Sequence, residues 1–353
     1  MYSGRDYKGI PAGDIPVYGT GGYMLSISQA LSDKNDAIGI GRKGTIDHPF
    51  ILKAPFWTVD TLFYCVPQHD YDLDFIYDLY QKVPWKALDE STGVPSLSKM
   101  AINHIKVLLP SLPEQKQIGS LFCHVDGLIH LHQRQTQKLK KLKQGLLHEM
   151  FPQEGESVPR LRFPGFTTTW KQHKIGSLIT EYKEKVDRTS TLPVLTSSKT
   201  EGIVFQEDHF GSAQNHDITG YNVLPRNYCT YRSRSDGTDF TFNVNNCCDK
   251  GIISKYYPVF NGKNNDTFFL SLMLNNNKEI IHEIGYTCVG TGQKVLSFSD
   301  LKKMSMSVPS LEEQTKLSIF FRRLDDLLTL HERYVTTLIH LKKGLLQKMF
   351  PQD

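Results

Sequence analysis

Two stretches of the chain place apolar residues at strictly alternating intervals of three and four. The first runs Ile118, Leu121, Val125, Leu128, His132, Gln135, Leu139, Leu142 and Leu146. The second runs Leu317, Phe320, Leu324, Leu327, His331, Tyr334, Leu338, Leu341 and Leu345. This spacing is the seam of a helix that pairs with another helix. Ser111 with Glu114, and Ser310 with Glu313, match the S-x-x-E capping box just after a proline. Pro152 and Pro351 stop the two stretches. About 37 helical residues lie between, or roughly 55 Å. Phe122, Ile129 and Leu147 widen the stripe and predict further packing on it.

The stretches are copies of one another. Residues 110–153 and 309–352 align without a gap at a constant offset of 199, and about half the positions are identical. That period far exceeds the repeats of solenoids and propellers, so the repeated unit is a whole domain plus a helix. His132 and His331 fall at equivalent places mid-seam. If the helices pair antiparallel about a pseudo-twofold axis, the two rings meet there. They are then either register-setting polar residues or part of a metal or pH-sensitive site, and two histidines alone are too few ligands for a metal.

Residues 1–109 and 154–308 have another character, with short alternating runs broken by Gly and Pro. "FWTVDTLFYCV" and "YCTYRSRSDGTDFTFNVN" predict strands joined by turns, whereas "FIYDLYQKV" and "FLSLMLNNNKEIIHEI" predict helices. Each region is expected to be a compact α+β domain. "IPVYGTGGYM" (15–24) echoes "LPVLTSSKTEGIV" (192–204), and "STGVPSLSKMAINHIKVLLP" (91–110) echoes "GTGQKVLSFSDLKKMSMSVP" (290–309). The expected order is a domain over 1–109, a helix over 110–153, a domain over 154–308 and a helix over 309–353. Similar helices with diverged domains suit one structural task and two different targets.

Composition narrows this picture little. Hydrophobic residues make up 39%, charged residues 22%, and the net charge is +4. No apolar run approaches the roughly 20 residues that span a bilayer. The opening "MYSGRDYKGIPAG" has no apolar core of a signal peptide. None of the six cysteines forms a C-x-x-C. They are expected to be reduced, buried thiols in a cytoplasmic protein, without a zinc site.

Gly39, Gly41 and Gly44 satisfy G-x-G-x-x-G, the spacing of a dinucleotide-binding loop. That loop needs a helix opening at the third glycine. Here "TIDHPFILKAPFWTV" follows, which is strand and turn composition. The better reading is a hairpin carrying Arg42 and Lys43, with Thr45 beside them, toward a polyanion; Arg also reads guanine bidentately. The other domain offers Tyr231, Arg232, Ser233 and Arg234. Further polar loops hold Tyr18 and Thr20; Thr196, Ser197, Ser198 and Lys199; and Thr291, Gln293 and Lys294. Solvated turns are the plain alternative for any one loop. Recurrence at matching places in both domains favours a shared role in DNA contact. No acid–base pair, nucleophile triad or metal cluster stands out, which leaves an enzyme reading without support.

The whole chain resembles a type I restriction–modification DNA specificity subunit. The most specific motifs are "LPSLPEQ" (109–115) and "VPSLEEQ" (308–314), each leading into a helix that ends "LKQGLLHEMF" or "LKKGLLQKMF". "PRLRFPGFTTTWKQHKIGSL" (159–178) is similar to the lead-in of a target recognition domain. "IPVYGTGGY", "IGRKGTI" and "ITGYNVLPRNYCTYRSRSD" resemble such domains themselves. The resemblance implies an α+β protein with two mixed target recognition domains separated by two long antiparallel coiled-coil helices with pseudo-twofold symmetry. Each domain would read one half of a bipartite, asymmetric double-stranded DNA site. The seam residues Leu128, His132, Leu139 and Leu142 would face Leu327, His331, Leu338 and Leu341.

Implied partners are two methyltransferase subunits, which bind S-adenosylmethionine, and restriction–translocase subunits, which use ATP and Mg. The chain itself would hold no cofactor, metal or catalytic site. One departure stands out. About 33 residues separate Arg160 from Pro193, but only 15 precede Pro16, without a lead-in. The first domain is expected to lack that opening segment and to expose an edge.

Overall fold

The computed structural model describes residues 1–89, 91–212, 217–288 and 293–350. The chain forms two compact units, Met1–Thr136 with Leu330–Asp353, and Gln137–Thr329. Each unit takes part of both long helices.

Unit 1 contains, in chain order, β1 (Tyr2–Ser3), β2 (Ala12–Gly19), β3 (Gly22–Ile27), β4 (Ala37–Gly41), β5 (Phe50–Leu52), β6 (Trp57–Thr58), β7 (Leu62–Cys65), α1 (Leu73–Lys82) and α2 (Lys99–Asn103). It also takes the start of α3 (Leu112–Met150). Unit 2 continues with β8 (Lys171–Lys174), α4 (Ile175–Leu178), β9 (Ile179–Tyr182), β10 (Leu195–Ser198), β11 (Gly202–Phe205), α5 (Gln206–Phe210), β12 (Asn222–Pro225), β13 (Cys229–Tyr231), β14 (Arg234–Ser235), β15 (Phe242–Val244), β16 (Lys250–Ile253) and β17 (Val259–Gly262). Then come α6 (Thr267–Asn276), α7 (Lys278–Thr287), β18 (Lys294–Val295), α8 (Phe298–Lys303), β19 (Ser305–Val308) and α9 (Leu311–Met349). The stretch from Phe269 onward, expected to be helical, forms two helices. Asn277 ends α6, and its side chain accepts from Ile280 N to cap α7.

The two units share a plan. Unit 1 has a four-stranded sheet in the order β1-β7-β4-β5, and unit 2 has β9-β17-β13-β15. Matching strands pair antiparallel in both. After each sheet comes a helix capped by an aspartate: Asp72 accepts from Phe75 N and Asp266 from Phe269 N. A glutamine at the start of each long helix then grips that cap. Gln115 accepts from Asp72 N at 3.1 Å and donates to Pro110 O at 2.9 Å. Gln314 accepts from Asp266 N at 3.0 Å and donates to Pro309 O at 3.0 Å. Both are buried. This bond set explains the final Gln of the "LPEQ" and "LEEQ" motifs. The capping boxes form only in part: Ser310 Oγ accepts from Glu313 N, but the Glu313 carboxylate pairs with Arg162 instead of returning to the cap.

The seam has a shifted register. Its buried or half-buried line runs 115, 118, 122, 125, 129, 132, 136, 139, 143, 146 and 150 in α3, and the same positions plus 199 in α9. Every seventh expected position, including His132, Leu139, His331 and Leu338, holds. In the alternate set only Gln135 and Phe320 are half-buried. Leu121, Leu128, Leu142, Leu327, Tyr334 and Leu341 are 41–51% exposed. Phe122, Ile129, Thr136 and Lys143 stand in the line, as do Phe321, Leu328, Val335 and Lys342. The polar members are paired: Lys342 Nζ lies 2.7 Å from Asp126 in unit 1, and Lys143 pairs with Asp325 in unit 2. These two ion pairs are exchanged by the same offset of 199, and within each unit the helix segments run antiparallel. In unit 1 His132 Nδ1 and His331 Nδ1 are 2.8 Å apart, so one ring donates to the other. Tyr334 stacks on His132 at 4.8 Å.

Cys123 is exposed on α3, contrary to the expectation of buried thiols. No helix among the described residues is long and apolar enough to cross a membrane.

Candidate nucleic-acid interface

In unit 1 the glycine-rich stretch is a strand and loop. β4 lies wholly buried between β5 and β7. Its connection to β5 carries Arg42, Lys43 and Thr45, and no helix follows Gly44. The glycines have steric reasons. A Cβ at Gly41 would stand 1.9 Å from Thr45 O, and one at Gly39 would press on Leu52 and Phe50 at 3.3 Å. Gly44 has φ +97° and donates its N–H to Pro95 O at 2.8 Å.

The exposed Arg42 is held on both sides. Its N–H donates to Thr61 O at 2.8 Å, its carbonyl accepts from Leu97 N at 2.8 Å, and its Nη1 reaches Asp60 O at 3.3 Å. Lys43 bridges to Ser96. The guanidinium lies 5.7 Å from the Phe63 ring, and Lys99 Nζ lies 5.9 Å from the same ring. Arg42, Lys43 and Lys99 with Ser96 and Ser98 line an open cavity of about 700 Å³. Three cations and several hydroxyls with few carboxylates suit an anionic, hydrogen-bonding ligand. Thr20 lies beside this loop, its Oγ1 3.6 Å from where a Gly44 Cβ would stand. Tyr18 packs on Tyr23 and Phe50. Lys99 was missed in the sequence, although "PSLSKM" belongs to the echo between the halves.

In unit 2 a smaller cavity of about 350 Å³ collects Thr196, Arg232, Arg234 and Gln293, together with Tyr256 and Gln206. Arg234 lies 4.4 Å from the Tyr256 ring, a cation–π contact. Ser233 donates its N–H and Oγ to Tyr256 O at 2.9 and 2.7 Å. Tyr256 therefore positions this loop, and no sequence motif marked it.

Several candidates lie elsewhere. Tyr231 is fully buried, with its hydroxyl donated to Leu296 O at 3.1 Å, so it belongs to the core and not to a contact surface. The alternation along β10 turns Ser197 away from Thr196, and Ser197 Oγ accepts from Asn243 at 2.8 Å. Ser198 uses its carbonyl on the same amide. Lys199 pairs with Asp239, whose carboxyl it holds below the usual range, and both line a different cavity. Lys294 is half-buried on the ladder opposite Ser235. Thr291 lies outside the described residues.

The two cationic loops occupy one structural position. Leu97 N donates to Arg42 O, and Leu296 N to Ser233 O; the donors differ by the repeat offset of 199. Lys43 bridges Ser96, and Arg234 pairs with Val295, again 199 apart. Arg42-Lys43 and Ser233-Arg234 are therefore counterparts, each following a central strand of the shared sheet. Differing loop lengths before them move the two pairs off the constant offset of 199.

The sequence family described as Type I restriction modification DNA specificity domain matches residues 8–141 and 171–338. The chain belongs to that family. A Methanocaldococcus jannaschii chain assigned as the MjaX specificity subunit of a type I restriction enzyme is 23% identical over 296 residues, covering 76% of this chain and 63% of that one. The MjaVIII specificity subunit of the same organism is 30% identical over 112 residues, covering 31% and 26%. The chain thus spans less than two thirds of the length of these curated relatives. The crystal structure of a type I restriction–modification S subunit from M. genitalium has the same fold, with a TM-score of 0.70 at 14% identity, covering 99% of this chain and 93% of that one.

Proposed function

We propose that this chain is a cytoplasmic DNA-specificity subunit that reads a bipartite, asymmetric site, one half with each unit. The observation that carries this reading is the recurrence of a cation-bearing loop at one position of two otherwise diverged domains. Arg42 with Lys43 and Lys99 serves one half-site, and Arg234 with Arg232 serves the other. The chain performs no catalysis and holds no cofactor. Two methyltransferase subunits bring S-adenosylmethionine, and restriction–translocase subunits bring ATP and Mg. The exposed leucines at 121, 128, 142, 327 and 341 form the apolar helix faces that receive the methyltransferase subunits.

The test is a genome-wide map of methylated adenines in cells carrying the wild-type chain, Arg42→Ala or Arg234→Ala. Each variant is expected to relax recognition of one half-site, by about 1–3 kcal/mol if the arginine pairs bidentately with a base. In the assembled complex, binding should weaken steeply with salt. Equal relaxation of both half-sites by either variant refutes the two-reader scheme.

A further inference from the structure

The two units carry equivalent hairpins. In unit 1, β2 pairs with β3, and Val17 on β2 pairs in parallel with Trp57 of β6. In unit 2, β10 pairs with β11, and Val194 just before β10 bridges in parallel to Ile252 of β16. β6 and β16 each precede a matching strand of the shared sheet, β7 and β17. Each hairpin also turns through a glycine of positive φ, Gly22 at +105° and Gly202 at +74°. The sequence agrees, since Pro16-Val17 and Pro193-Val194 stand at the head of the echo between the halves.

The hairpins differ at the residue opposite that valine. Leu25 stands opposite Val17 and packs against the cluster of Val17, Ile27, Trp57 and Val59. Gln206 stands opposite Val194, and its N–H donates to Val194 O at 2.9 Å. Gln206 is half-buried and lines the cavity of about 350 Å³ with Thr196, Arg232, Arg234 and Tyr256. Among the described residues its side-chain amide has no hydrogen-bond partner. A polar head that lines a cavity without a protein partner is satisfied there by solvent or by a ligand.

We infer, on the proposed reading of the cationic loops as DNA contacts, that Gln206 is a specificity-determining residue of unit 2. It reads an A·T pair in that unit's half-site, in addition to the pair read by Arg234. Guanidinium and ammonium groups only donate, which matches the N7 and O6 acceptors of guanine. The Gln206 carboxamide accepts and donates side by side, which matches the N6 amine and N7 of adenine. Among the described residues, the cationic cavity of unit 1 has Arg42, Lys43 and Lys99 but no carboxamide. Gln293 is the other amide of the unit 2 cavity, but it is exposed, whereas the half-buried Gln206 has its backbone fixed on Val194. The pair read by Gln206 is not the methylated one, because a methyltransferase withdraws its target adenine from the stack.

The test maps methylated adenines in cells that carry the complete system with the wild-type chain, Gln206→Ala, Gln206→Arg or Arg234→Ala. The wild-type map should show an A·T pair in the half-site of unit 2 besides the methylated one. Gln206→Ala should relax that position alone, lowering the preference for A·T over other pairs there by about tenfold or more. Gln206→Arg should move the preference at the same position toward G·C, a gain that a folding defect does not produce. The other half-site should be read unchanged by all three variants. If Gln206→Ala relaxes no position while Arg234→Ala relaxes one, the inference is overturned and the two-reader scheme stands. Uniform loss of methylation at all sites with Gln206→Ala, without relaxation at one position, also overturns it, because a phosphate contact carries no sequence information. If neither variant relaxes the half-site of unit 2, the two-reader scheme fails and the inference with it.

Discussion

Gln314→Leu isolates the contact that joins the second domain to its helix. The glutamine is 1% exposed, and its amide makes three bonds: from Asp266 N at 3.0 Å, to Pro309 O at 3.0 Å and to Asn265 Oδ1 at 2.9 Å. Leucine fills nearly the same volume and makes none of them. Asn265 keeps bonds through its Nδ2 to Lys263 O and Leu178 O. Asp266 N and Pro309 O lose their side-chain partner. A buried backbone group left unpaired costs about 1–3 kcal/mol, so the variant, which unpairs two, should lose about 2–6 kcal/mol. That is a large share of the roughly 5–15 kcal/mol that holds a domain folded. The loss should appear where the bonds act, because Asp266 caps α6 and Phe268–Leu274 on that helix are core residues. Native-state hydrogen exchange of the α6 amides reads it directly as a lower opening free energy. Gln137→Leu, at an exposed position of unit 2, is the matched control and should stay within about 0.5 kcal/mol of wild type. If Gln314→Leu opens α6 no more readily than Gln137→Leu, the glutamine is not the anchor and the account of the motif fails.

Two further perturbations test the helices and the core they share with α1. Asp78 on α1 is buried, which pushes its carboxyl up to about 8; Lys342 opposes this, and Asp126, Asp74 and Asp72 add to it. A folded-state value above the unfolded one means that stability is full below about pH 4 and is lost as pH rises toward 8. Asp78→Asn should therefore flatten that decline in urea-unfolding titrations and stabilise unit 1 at pH 8, since even one unit of displacement is worth about 1.4 kcal/mol. An unchanged pH slope would place the ionised carboxylate in the native fold. Phe122→Ala empties a fully buried seam position and should cost about 3–5 kcal/mol, whereas Leu128→Ala, 45% exposed, should cost less than about 1 kcal/mol. Comparable losses for both in denaturant melts would restore the register expected from apolar spacing.

That register shows how far the sequence can be read. The 3-4 alternation located both helices to within two residues, because a seam repeats over many turns. It erred by one position in half of each heptad. Thr136 and Lys143 occupy seam places that an apolar pattern skips, while Leu128 and Leu142 offered a false line beside them. The distinction depends on Asp325, remote in sequence, which neutralises Lys143. Local pattern also showed that no helix follows Gly44, because proline and β-branched residues disfavour one there, but Arg42 and Lys43, expected at a hairpin tip, stand directly after β4. It misplaced Tyr231, since a tyrosine among arginines reads as surface when its hydroxyl is in fact satisfied by Leu296 O, 65 residues away. Lys99 and Tyr256 were missed for the same reason: each reaches its cavity through backbone bonds between segments distant in sequence, Leu97 N to Arg42 O and Ser233 N to Tyr256 O.

The correspondence between Arg42-Lys43 and Ser233-Arg234 has a consequence for how such a chain diversifies. The backbone at this position is fixed twice over. A carbonyl accepts from Leu97 or Leu296, and an N–H is donated to Thr61 O or Tyr256 O. These bonds use no side chain of the loop, so its residues are free to differ without loss of the sheet. The aromatic support changes with them: Phe63 lies under Arg42, and Tyr256 under Arg234. The helices have no such freedom. Gln115 and Gln314 each bind backbone groups through both ends of one amide, and the ion pairs Asp126–Lys342 and Lys143–Asp325 require complementary residues on two helices. Side-chain-independent loops beside side-chain-dependent helices account physically for domains that have diverged while the helices that carry them remain near copies.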